Sequence, residues 1–147
     1  MRSIKHGLRA VIMLVPLFLA ACGTPIPKYQ PTPDEKVTSV KLFGWGEPYM
    51  CRMGKLYELT VQEENGTRRT TLPTGARVGL VNFITVQGYQ VVSRCTARAS
   101  VIPRDGINLI VNGVLPEAGK CGLDVVREDA SKETGVSMEP SLGGPAC

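Results

Sequence analysis

Histidine is almost absent from this chain of 147 residues; His6 is the only one. No apolar run reaches the roughly 20 residues that a membrane-crossing helix needs. The longest, Ala10 to Ala21, is about 12 residues and carries Pro16. Sustained helical periodicity is missing, which excludes a helical bundle. No close C-x-x-C pair is present, which removes the usual spacing of a zinc site. Gly44-x-Gly46 lacks the remainder of any phosphate-binding loop.

What is present begins with an address. Arg2, Lys5 and Arg9, with no acidic residue among them, precede the apolar run, and small residues follow it. That is the order of a secretory signal. Its exit, Leu19-Ala20-Ala21-Cys22, resembles the bacterial lipobox, in which a branched apolar residue and two small ones precede a cysteine. The resemblance implies that the Cys22 sulfur receives diacylglycerol, that residues 1–21 are removed, and that further acylation such as palmitate completes the anchor. One acyl chain is a marginal anchor, whereas two or three, at about 0.8 kcal/mol per buried methylene, hold durably. Gly23 after the cysteine, by the family's sorting rule, implies the outer membrane, with the domain facing the periplasm.

Removing residues 1–21 leaves 126, enough for one domain. Arg2, Lys5, Arg9 and His6 leave with the signal. The mature chain then carries 14 basic against 13 acidic residues, too balanced for a nucleic-acid surface. Without histidine it has no Ser-His-Asp or Cys-His arrangement and lacks the commonest metal ligand. Neither enzymatic activity, nor a cofactor, nor a metal ion is expected.

Cys51, Cys95, Cys121 and Cys147 remain besides Cys22. An even count in an exported chain implies disulfides, and four cysteines permit three connectivities. Cys95 and Cys121 lie in or beside strand-like segments, which favours pairing them and leaving Cys51 to hold the tail through Cys147.

Residues 22–36 comprise the acylated cysteine and a proline-rich segment that reads as an extended tether. Residues 37–128 are strand-like, and 129–147, rich in Ser, Gly and Pro, read as a tail, loose unless Cys147 is bridged. "KLYELTVQ" alternates, with Tyr57, Leu59 and Val61 on one face, and Asn65-Gly66 is a tight-hairpin dipeptide. "RVGLVNFITVQ" sends Val78, Leu80, Ile84 and Val86 one way, with Val81 and Phe83 opposite. Gly88 turns the chain into "YQVVSRCTARASVI", and Pro103-Arg104-Asp105-Gly106 makes a second turn. "INLIVN" and "CGLDVVRE" are the last strand candidates. Six or seven short strands in about 90 residues imply an all-β sandwich or small barrel.

The stretch Ser93 to Val126 is similar to a pattern found in small proteobacterial lipoproteins of uncharacterised function. There, one cysteine begins a strand, Pro and Gly make the turn, and a second cysteine begins the returning strand. Cys95, Pro103, Gly106 and Cys121 hold those positions here. The resemblance implies a small disulfide-bonded sandwich, immunoglobulin-like or transthyretin-like, with no known activity.

Trp45 and Tyr49, in "FGWGEPYMC", are the candidate binding residues. They could offer aromatic faces to sugar or peptide, or Trp45 could fill a sandwich core beside a disulfide. Glu63-Glu64 and Glu128-Asp129 are adjacent carboxylates, but strand neighbours point to opposite faces, so they read as solvated hairpin ends. Arg68-Arg69 could meet phosphate or peptidoglycan carboxylates, or simply flank a solvated turn. Asn65-Gly66-Thr67 is a formal sequon that bacterial export normally ignores.

The favoured function is a membrane-tethered, non-enzymatic structural or binding module of the cell envelope, with an envelope protein or peptidoglycan as partner. A second reading rests on resemblance to the sandwich lipoproteins of type VI secretion, which do not generally carry this cysteine set. A third rests on Tyr49-x-Cys51 followed by Gly54, similar to the opening of membrane-bound lysozyme inhibitors. That family's later Ser-Gly-x-x-Tyr segment is not evident.

Overall fold

A computed structural model describes residues 23–44, 46–115 and 120–147, so Cys22 with the segment expected to be a signal, and Trp45, lie outside the described residues. Among the described residues the chain forms ten strands. They are β1 (Val37–Gly44), β2 (Glu47–Arg52), β3 (Lys55–Glu58), β4 (Gln62–Glu64) and β5 (Thr67–Pro73), then β6 (Val78–Gln87), β7 (Val92–Val101), β8 (Leu109–Val114), β9 (Gly122–Glu128) and β10 (Val136–Met138). They build two sheets, ordered β10-β9-β8-β1-β5-β4 and β3-β2-β6-β7. The fold is a disulfide-bonded all-β sandwich.

Local chemistry sets the hairpins. Asn65 and Gly66 both take positive φ, 51° and 74°, as a two-residue turn between twisted strands requires. Met53 and Gly54 do the same, at 50° and 73°, between β2 and β3. In the Pro103–Gly106 turn, the Ile107 amide donates to the Arg104 carbonyl at 3.2 Å, with Gly106 in the left-handed region.

The apolar phase of each strand then defines the core. Val40 and Leu42 of β1 share a face with Leu72 of β5 and with Leu109 and Val111 of β8. Opposite them stand Met50, Val78, Leu80, Ala99 and Val101 of the four-stranded sheet. Burying a side chain such as Leu72 or Leu109 fully contributes about 1.5–3 kcal/mol. Most neighbours are antiparallel, but β1 and β8 run parallel, pairing Val40 with Leu109 and Leu42 with Val111.

"KLYELTVQ" is not one strand. Residues 55–58 join the four-stranded sheet, and 62–64 join the six-stranded one. Between them Leu59 enters the core, its amide donating to the Pro48 carbonyl, while the Thr60 carbonyl accepts from the Thr70 hydroxyl at 2.9 Å. Alternation alone holds across such a crossing, so it conceals the change of sheet.

Two segments read as tether and tail are packed. Tyr29 is buried in the core with its ring edge-on to Tyr57. Its hydroxyl donates to Glu35 at 2.9 Å, and Glu35 also accepts from Arg52. Burial, then the Glu35 hydrogen bond and charge, push the Tyr29 pKa up, while Arg52 first and Tyr29 second hold Glu35 below its ordinary value of 4.5. A depressed carboxylate contributes stability that is present above its unfolded pKa and lost as pH falls through its folded one. The stability advantage of the native chain over Glu35→Gln is therefore expected to be full at neutral pH and to shrink as pH falls below about 4.5. Paired urea titrations across that range measure it, and an advantage that does not change with pH would refute it.

The segment after β10 crosses to the four-stranded sheet. Ser100 and Gly143 exchange both backbone hydrogen bonds, at 3.0 and 2.8 Å. Arg77 donates to the Ser100 hydroxyl and to the Ser141 carbonyl, each at 2.9 Å. Residues 139–147 form a strap that ends at Cys147, bonded to Cys51.

Candidate functional site

Register on the four-stranded sheet decides which side chains face out. Glu47, Tyr49 and Cys51 of β2 alternate with Met50, which is in the core, so they lie on the outer face. Cys51 stands opposite Gly79, and Gly79 opposite Ser100, making one row of small residues across three strands. The strap occupies that row. A Cβ at Gly79 would lie 3.1 Å from the Cys51 Cβ and 3.6 Å from the Ala146 backbone. The next row holds Tyr49, Val81 and Arg98, and the one after it Glu47, Phe83 and Thr96. Tyr49 meets Phe83 edge-on, ring centroids 5.0 Å apart and planes at 77°, a favoured aromatic geometry. Val81 beneath them is only 5% exposed, although it points away from the core.

Charge is divided across this face. Glu47 and Glu58 lie on the β2–β3 side, and Arg94 and Arg98 on β7. Burial first, then the Glu47 and Glu58 charges, raise the Tyr49 pKa, so its hydroxyl stays neutral and hydrogen-bonds with Glu47. The face therefore offers an aromatic edge, a carboxylate side and a guanidinium side, which suit binding by packing and charge.

The β6–β7 hairpin runs past the sandwich. Residues 85–94 are all exposed, including Tyr89 at 100%, Val91 at 65% and Val92 at 55%. Val86 keeps the inward phase of Leu80 and Ile84 yet is 41% exposed, because the hairpin extends beyond the facing sheet. Gly88 closes the turn, its amide donating to the Val91 carbonyl at 2.8 Å.

Comparison of the chain with protein-family models, with characterised proteins and with solved structures gives no match. The site therefore rests on its own geometry.

Cys95 and Cys121 form the second disulfide, which ties β7 to the residue before β9 and so joins the two sheets. Both bridges follow the pairing favoured from the strand-like segments. Among the described residues no three His, Cys, Asp or Glu side chains converge to hold a metal ion. Of the two candidate binding residues, Tyr49 lies on the outer face and Trp45 is outside the described residues.

The paired charges serve local structure. Arg68 donates to the Gly46 carbonyl at 3.2 Å, and Arg69 meets Glu64 at 3.2 Å. Glu128 bonds Lys41 and Asn108, and Asp129 caps a turn through Ser131. A groove of about 370 Å³ lies between Tyr29–Pro31 and the six-stranded sheet, lined by Ser39, Gln62 and Thr71. Arg69 on its wall is already paired.

Sequence reasoning missed the apolar hairpin tip. A signal was available: residues 65–104 contain no Asp or Glu, and "VQGYQVV" places apolar residues on both sides of a glycine turn.

The chain enters from the other end of the sheet. Lys28 bridges Glu58 in parallel, and β3 runs from Lys55 toward the hairpin end. Glu58 is level with Val81 through Tyr49. Gly88 lies seven residues further on, about 23 Å at ~3.3 Å per residue.

Proposed function

We propose that this chain is an outer-membrane lipoprotein of the cell envelope, held by acyl chains on Cys22, whose sandwich is a non-enzymatic binding module for another envelope protein. The observation that carries the reading is the use of the five cysteines. Four are consumed in two disulfides, which belong to an oxidising compartment. The fifth, Cys22, follows Leu19-Ala20-Ala21. The packed domain begins near Lys28, which bridges Glu58 with the chain running toward the hairpin end, six residues after Cys22. On this reading the β6–β7 hairpin tip is where a partner is met. The exposed valines and Tyr89 give that partner apolar area, and the Tyr49–Phe83 pair extends it along the face.

Metabolic labelling of the full chain with palmitate tests the anchor. Native protein is expected to carry label and to fractionate with the outer membrane, while Cys22→Ala is exported with neither label nor membrane retention. Label persisting on Cys22→Ala would discard the lipobox assignment.

A further inference from the structure

β7 is an edge strand whose free side is only partly closed. Ser100 directs its amide and carbonyl away from β6, because both bond Gly143. Antiparallel strands alternate in this respect. The β6–β7 register is unbroken from Val78↔Val101 to Gln87↔Val92. Val92, Arg94, Thr96 and Arg98 therefore also point their backbone donors and acceptors outward. Among the described residues no strand pairs with them. A long unpaired edge is a template for another strand, and natural proteins cover it or charge it. Here the strap covers one end, Cys95 in the middle is bonded to Cys121 from the inner face, and two arginines mark the outer face.

We propose that the edge of β7 from Val92 to Arg98 takes up an extended acidic segment of a partner protein as an additional strand. Backbone hydrogen bonds supply affinity, and alternate side chains supply specificity. On the outer face the added strand lies beside Arg94, Thr96 and Arg98. Carboxylates four residues apart on the segment meet the two guanidiniums, with a small or β-branched residue between them beside Thr96. Val91 and Val92 offer apolar contact at the hairpin end, and Gly143 stops the added strand at Ser100. The absence of acidic residues from 65 to 104 leaves both arginines without a carboxylate from this stretch. A lipid surface fits less well, because acyl chains cannot satisfy the outward backbone groups. A second copy paired about Thr96 would set Arg94 against Arg98, a like-charge contact that costs stability.

This deepens the reading of the chain as a binding module and rests on it. The test uses the full, oxidised chain in detergent and a synthetic peptide of alternating valine and threonine with two glutamates four residues apart. A lysine version serves as control. The glutamate peptide is expected to bind and to slow hydrogen exchange at the amides of residues 92, 94, 96 and 98, and the lysine peptide is not. Arg94→Glu with Arg98→Glu should weaken the glutamate peptide on the order of tenfold per arginine and gain the lysine peptide. Thr96→Pro removes one outward N–H that β6 does not use, so it should keep the β-sheet signal and lose peptide binding. Should that variant fail to fold, the charge reversal decides. Equal binding of both peptides would overturn the proposal. So would edge protection that grows with protein concentration alone, marking self-pairing, or capture by anionic phosphatidylglycerol vesicles with protection confined to residues 88–91. Peptide binding lost while palmitate labelling stands would remove this inference and leave the anchor intact.

Discussion

Replacing Cys51 and Cys147 together by serine is expected to lower the unfolding free energy by about 4–5 kcal/mol. The bridge closes a sequence separation of 96 residues, and constraint of the unfolded chain grows with loop length, reaching about 4.7 kcal/mol near 100 residues. Domains of this kind are ordinarily stable by only about 5–15 kcal/mol, so the loss takes a large share. The local effect is more specific. Cys147 holds the strap over Gly79 and beside Ser100, both in the outer-face row that Cys51 begins. Freed from it, the strap relies on non-covalent contacts, the Ser100–Gly143 pair and, through Ser141, Arg77, so the Ser100 amide is expected to exchange faster. Urea unfolding with hydrogen exchange at Ser100 measures both consequences. A midpoint unchanged within error, with Ser100 still protected, would show that Arg77, Ser141 and Glu139 hold the strap without the covalent bond.

Gly44→Ala is expected to cost about 2–5 kcal/mol, an effect large for the addition of one methyl group. Gly44 has φ of +74°, where an L-residue loses roughly 1–2 kcal/mol. Its parallel partner is Gly113, and an added Cβ would overlap the Gly113 carbonyl oxygen and crowd the Asn112 side chain. Backbone must move to relieve that, at typically 1–3 kcal/mol more. The displaced residue stands at the corner where the chain leaves the six-stranded sheet for Glu47 and Tyr49, so the variant should also disturb the Tyr49–Phe83 contact. Thermal unfolding with near-ultraviolet circular dichroism reads both changes. A loss below about 1 kcal/mol would mean that the corner relaxes freely.

Gly44 also marks the limit of what a local pattern carries. Two glycines around an aromatic read as a loop that could present Trp45 and Tyr49. That Gly44 is required by a carbonyl from a strand 69 residues later is a fact of parallel pairing, and no local pattern carries it. Tyr49 was recognisable as a candidate by composition, but its partner Phe83 came into view only through register. The hairpin tip is a different case. Val86, Val91 and Val92 have strand composition whether or not a facing sheet covers them, so alternation assigns Val86 inward while the structure leaves it exposed.

The sequence by itself determined the elements whose cause is local. These are the left-handed turn at Asn65-Gly66, the turn at Pro103–Gly106, the inward phase of Val78, Leu80 and Ile84, the all-β class, and an even set of cysteines suited to bridges. Backbone sterics and a side-chain period of two act over a few residues, so a few residues suffice to read them. Tertiary structure alone decided which sheet each strand joins, the splitting of residues 55–64 between sheets, the parallel β1–β8 pair, and the packing of Tyr29 and residues 139–147. It also decided that β7 ends the four-stranded sheet, with no strand among the described residues paired to its side away from β6. Alternation states which side of a strand is apolar and says nothing of its neighbour. The neighbour is chosen by the free energy of the whole core, summed over residues far apart in the chain.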